Sequence, residues 1–130
     1  MVSPMELTSS RSLIVLRLSS ALAALLTLIQ AVLVILTAAK VAKLIGAHGG
    51  VGYLSLLATI TATIAAYVWF RKGGSKGLMM HAGGIAVLMI VQIALGELKV
   101  VWVHVGLGII IVLGAVALAT LAYRKPGGAV

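Results

Sequence analysis

The chain has 130 residues, 62% of them hydrophobic and only 9% charged, whereas a soluble domain is about half apolar and about a quarter charged. That balance excludes a water-soluble globule, a disordered chain and a nucleic-acid-binding protein. Ten Lys and Arg against two carboxylates give a net charge of +8, but the basic residues lie between long apolar runs, where they serve as membrane-topology signals. With no cysteine, disulfides, thiol redox chemistry, thiolate haem ligation and iron–sulfur clusters are all removed.

A spanning helix needs roughly 20 predominantly apolar residues, and four stretches qualify. The first, about Leu18–Ala39, follows Arg11 and Arg17; its apolar core is longer than the roughly 7–15 residues of a signal-peptide core, so it reads as a span. The second covers about Val51–Phe70, the third Leu78–Leu98 and the fourth Val101–Tyr123. Strict alternation of the barrel type is absent from all four. If the spans alternate in direction, Arg11, Arg17, Arg71, Lys72, Lys76, Arg124 and Lys125 share one side, against Lys40, Lys43 and Lys99 on the other. The excess of basic residues marks the cytoplasmic side, which places both termini there in a multi-pass cell-membrane protein. Short connections then predict an antiparallel, all-α four-helix bundle, a single domain over residues 1–130. Tyr53, Trp69, Trp102 and Tyr123 lie near span ends and read as interfacial anchors. The first dozen residues and the Pro126-Gly127-Gly128 tail read as frayed ends, and no internal repeat is visible.

Polar groups at membrane depth are costly, so each is a functional candidate. They are His48, His81, His104, Gln30, Gln92 and Glu97. In the alternating topology, His48 and His104 fall at similar depth in the outer leaflet, on the two spans that run in the same direction. His81 falls near the opposite face, without a visible partner. Two facing imidazoles in a bundle form an axial pair for a haem iron. Gly49, Gly50 and Gly52 follow His48, and Gly106 and Gly108 follow His104; glycine lets a backbone approach a flat macrocycle closely. Gly46-x-x-x-Gly50 also matches a helix-packing pattern. A zinc or copper site, which wants a third or fourth ligand, and a proton relay remain open alternatives. Gln92 and Gln30 read first as interhelical hydrogen-bond partners. Glu97 is either an interfacial charge balanced by Lys99 or a weak candidate for catalysis. Lys40, Lys43 and Lys99 stand near the expected haem edge, where they would neutralise carboxylates.

The run Ile90-Val91-Gln92-Ile93-Ala94-Leu95-Gly96, followed by Val103-His104-Val105-Gly106, resembles haem A synthase, in which each four-helix half carries Gln-x-x-x-Gly and then a helix with a haem-ligating histidine. Ala47-His48 through Arg71-Lys72 resembles that family's second helix. The likeness covers about residues 46–124. It implies a haem b bound by His48 and His104, with Gly49, Gly52, Gln92, Gly108, Lys43 and Lys99 around it, and haem O or haem A as substrate or product. Family members have two such halves, so a single half implies a homodimer or higher homo-oligomer. The chain departs from the family where a Glu normally precedes the second-helix histidine by three residues and an Arg follows it; Ile45 and Gly49 stand there, and the family's outer-loop cysteine pair is missing.

Two functions are expected from these residues. One is an oxidoreductase of the haem A synthase type, converting the haem O methyl group to a formyl. The other is a bis-histidine b-type cytochrome carrying electrons in the membrane, with quinone or another redox partner. A non-haem membrane protein, such as a small transporter or assembly factor, is the third reading; a transporter would call for broken helices and inverted repeats near the midplane, and neither is evident in the sequence.

Overall fold

Pro4 opens the first helix at the position where its missing N–H and pre-set φ suit a helix start. No glycine or further proline comes until the helix ends at Ala38, so α1 runs unbroken over Pro4–Ala38. The computed structural model describes residues 1–41 and 43–124, with backbone only for 5–9; Lys125 and the Pro126-Gly127-Gly128 tail lie outside the described residues. Beyond α1 come three more helices, α2 (Ile45–Phe70), α3 (Lys76–Glu97) and α4 (Val101–Tyr123), with no strand among the described residues. All four are long and apolar enough to cross a membrane.

Two boundaries differ from expectation. The first dozen residues are not frayed: from Pro4 onward they are helical. Helix α2 starts at Ile45, not Val51, and so takes in the glycines at 46, 49, 50 and 52. Glycine costs about 1 kcal/mol against alanine in a helix, which is why the sequence pattern breaks there although the chain does not.

The helices form a closed ring in which α1 lies against α2 and α4, and α3 against α2 and α4; the backbones of the diagonal pairs stay apart. Each helix turns a stripe at three- and four-residue spacing inward: Leu78, Ala82, Ile85 and Met89 on α3, Ile111, Ala115, Leu118 and Ala122 on α4. The corresponding stripe of α2 is Ser55, Thr59, Ala62, Ala66 and Trp69. Small residues dominate because, in lipid, helices associate through close backbone approach and dispersion, with no hydrophobic gain between them. The hydroxyls on these stripes donate to their own helix, as Thr59 does to Ser55 O at 2.8 Å and Thr27 to Ala24 O at 2.9 Å. Arg17 ties α1 to the last turn of α4 by donating Nε–H to Ala122 O at 2.8 Å, with its guanidinium 5.8 Å from the Tyr123 ring centroid.

Trp69 is not the interfacial anchor expected of it. It is 8% exposed and belongs to the main core cluster with Leu16, Ala62 and Leu118. Gly74 makes this possible, since a Cβ there would come within 2.3 Å of the indole. Trp102, 88% exposed, keeps the anchor's exposure.

The packed core fills only part of the bundle's length. No described residue from 28 to 54, or from 90 to 110, is buried. That less-packed end also holds two matching connections. Helix α1 ends with Lys40 N–H bonded to Thr37 O and Val41 N–H to Leu36 O; α3 ends with Lys99 N–H bonded to Gly96 O and Val100 N–H to Leu95 O. Both are Schellman caps, and both put a lysine at the left-handed position, φ 58° at Lys40 and 57° at Lys99, where glycine is usual. Leu36-x-x-x-Lys40-Val41 and Leu95-x-x-x-Lys99-Val100 are therefore equivalent, and α1–α2 repeats the design of α3–α4. The sequence hides this repeat because few positions carry it and its two connections differ in length.

Replacing fully buried Ala82 by Leu overpacks the core and should destabilise the protein by about 1–3 kcal/mol. Replacing exposed Ile109 by Leu should change stability by less than about 0.5 kcal/mol. Unfolding in mixed detergent micelles, followed by circular dichroism, checks both.

Candidate functional site

Continued past the core, the inward stripes change character. On α1 the stripe passes from Thr27 to Gln30, and on α2 from Ser55 to Gly52 and His48. On α3 it passes from Met89 to Gln92 and Gly96, and on α4 from Ile111 to Gly108 and His104. Positions three or four apart share a helix face, so this end of the bundle presents polar groups and glycine to its interior.

Each of the two histidines is the fourth residue of its helix. Their backbone N–H groups bond to the preceding Leu44 O at 2.8 Å and Val100 O at 3.0 Å. Although α2 and α4 are diagonal, the side chains reach across: the ring centroids are 6.0 Å apart with the planes inclined at 69°. His81 stays apart and donates Nε2–H to Gly114 O at 2.9 Å.

His104 is held from both ends of Gln92. The Gln92 amide donates Nε2–H to His104 O at 2.8 Å, and His104 Nδ1 lies 2.9 Å from Gln92 O. A carbonyl only accepts, so Nδ1 carries the proton and Nε2 keeps its lone pair. Two glycines make room for this lock: a Cβ on Gly96 would stand 3.1 Å from His104 Cε1, and one on Gly108 3.0 Å from Gln92 Nε2. Gln92-x-x-x-Gly96 and His104-x-x-x-Gly108 are thus one interlocking unit.

The α1–α2 half repeats its parts. A Cβ on Gly52 would stand 2.7 Å from Gln30 Nε2, and the Gln30 backbone carbonyl lies beside His48. Gln30 belongs to the site, though its sequence context suggested only a bond to a neighbouring helix; the signal is its place on the inward stripe opposite Gly52. Gly52 and Gly108 leave room for the two glutamine side chains. Three buried polar atoms here have no hydrogen-bond partner: Gln30 Oε1, Gln92 Oε1 and His48 Nδ1.

Gly46, Gly49, Gly50 and Gly106 behave differently, because a Cβ on any of them would meet no atom within 4 Å. Close helix packing therefore does not account for Gly46-x-x-x-Gly50. Glu97 ends α3, exposed, and among the described residues it forms no ion pair with Lys99. Lys43 is exposed in the α1–α2 connection.

Among the described residues no group of three or more His, Cys, Asp or Glu side chains comes together, so a closed tetrahedral metal site lacks its ligands. Two imidazoles suit a metal that brings its other donors with it, as the iron of a tetrapyrrole does. Two nitrogens each about 2 Å from one metal put their ring centroids roughly 6 Å apart, which agrees with the observed 6.0 Å. The glycine-rich, loosely packed surroundings leave room for such a group. No protein-family model, curated protein or solved structure matches the chain.

A non-glycine residue in the left-handed region costs about 1–2 kcal/mol. Lys40→Gly and Lys99→Gly should each therefore stabilise the protein, by about 0.5–1 kcal/mol after glycine's own entropy. A higher unfolding midpoint in the same micelle titration is the expected result.

Proposed function

We propose that this chain is a haem-binding membrane protein with the four-helix plan of one haem A synthase half, and that His48 and His104 are the axial ligands of a single b-type haem. One observation carries this reading: the two rings meet across the bundle diagonal at 6.0 Å, at the end where the inward stripes turn from packed core to polar groups and glycine. The basic asymmetry orients the bundle with its helices antiparallel, both termini in the cytoplasm and the histidine pair toward the outer leaflet. The contact of Arg17 with Ala122 O agrees with that arrangement, since it joins the start of α1 to the end of α4. Both ligands come from one chain, so haem binding does not wait on a second copy; the homodimer implied by the two-half family would bring two such sites together.

When bound, the haem supplies reversible one-electron chemistry at its iron. The protein's part is to orient and to exclude. Gln92 holds His104 with its proton on Nδ1, so Nε2 would be the nitrogen to hold the metal, and hydrogen bonding of Nδ1–H to a carbonyl would raise its basicity. Gly49 and Gly106 let the backbone of α2 and α4 lie close to a flat ring. Lys40 and Lys99, held in left-handed caps beside this end of the bundle, offer ammonium groups to the haem carboxylates.

Electron transfer as a b-type cytochrome is the second reading, favoured by the exposed Ile45 and Gly49 at the positions where haem A synthases carry Glu and Arg. Haem extraction after co-expression with a haem O source separates the two. Recovered haem A supports the synthase, and haem b alone supports the electron carrier.

Purified and reduced with dithionite, the protein should show the sharp alpha and beta bands of a low-spin bis-histidine haem. His81→Ala should leave the spectrum unchanged, and Gly49→Leu should lower haem content several-fold without loss of helicity. A spectrum abolished by His81→Ala but normal in His104→Ala would sink the assignment.

A further inference from the structure

The two histidines occupy equivalent positions but are not held alike. Nδ1 of His104 donates to Gln92 O at 2.9 Å, the Gln92 amide returns a bond to His104 O at 2.8 Å, and Gly96 lies against the ring. In the other half the Gln30 backbone carbonyl approaches His48 loosely, but His48 Nδ1 is buried without a hydrogen bond of ordinary length. The same lock is thus closed on α3–α4 and open on α1–α2.

The geometry points to a division of roles: His104 is the permanent axial ligand, and His48 is the exchangeable one. The iron face toward α2 is then the place where a small neutral donor molecule binds by displacing His48. This inference rests on the haem-binding reading above. Its physical basis is the outer hydrogen bond, which fixes a ligand ring's orientation and typically contributes 10–100-fold to metal affinity. His104 cannot turn its ring without breaking that bond. His48 has only the looser approach of the Gln30 carbonyl to give up, so a competing donor displaces it at lower cost.

The test uses the full chain, haem-loaded in mild detergent. Wild-type protein, reduced and exposed to carbon monoxide, should convert to a carbon monoxide-bound spectrum. His48→Ala should retain haem to within about twofold, turn high-spin and return to low-spin with added imidazole, whereas His104→Ala should retain about tenfold less. Gly96→Ala, which crowds the His104 ring without touching haem, should also lower retention. Equal losses from the two histidine variants, the reverse order, or a wild-type spectrum unmoved by carbon monoxide would overturn the inference. The wild-type measurement stands even if a variant fails to fold. A wild-type chain that takes up no haem overturns the haem-binding reading itself and this inference with it.

Discussion

The reciprocal hydrogen bonds between Gln92 and His104 are the interaction on which the site's organisation depends. In hydrocarbon a polar side chain has no water to turn to, so each one must find a partner inside the protein. Gln92 meets that demand in part, with its side-chain N–H and its backbone carbonyl on the same residue of the next helix, and leaves its Oε1 without a partner. The consequences spread outward. Gly96 and Gly108 have to be small, and the imidazole is held with its proton on Nδ1. Gln92-x-x-x-Gly96 and His104-x-x-x-Gly108 are, in physical terms, the parts from which this lock is built.

The opposite end of the bundle supplies the rigidity the site needs. Alanines at 62, 82, 115 and 122 are fully buried, and they let the helices approach closely enough for dispersion to hold them. Buried Trp69 seated on Gly74, and Arg17 on the last turn of α4, complete that end. The helices are therefore anchored at one end, while the other stays loosely packed around polar groups. Packed density and binding chemistry occupy different lengths of the same four helices.

Lysine at the left-handed position of both caps fits this division of labour. Glycine would relieve the backbone, but it carries no charge. Strain held at matching points of a repeated unit is a sign that the side chain has a role there. The repeat itself explains how one chain presents two histidines at the same depth, since each is the fourth residue of the second helix in its unit.

Hydropathy and charge are local properties, so the sequence alone determined the four spans, their approximate limits and the basic asymmetry. Ordering the histidines along those spans also singled out His48 and His104 and set His81 aside. Features that depend on distances between residues far apart in the chain were decided only by tertiary structure. Gln30 joins the site because Gly52, on the next helix, leaves room for its amide. Trp69 is core, although its position near a span end suggested an interface. Identical-looking glycines divide into those that accommodate a glutamine or a histidine and those that face no protein atom, a difference no local pattern carries. The inequality between the two halves is likewise tertiary. Both have a glutamine, a histidine and a glycine, but only His104 makes a hydrogen bond of ordinary length through Nδ1, because such a bond forms only where a carbonyl and an N–H meet within a narrow range of distance and angle.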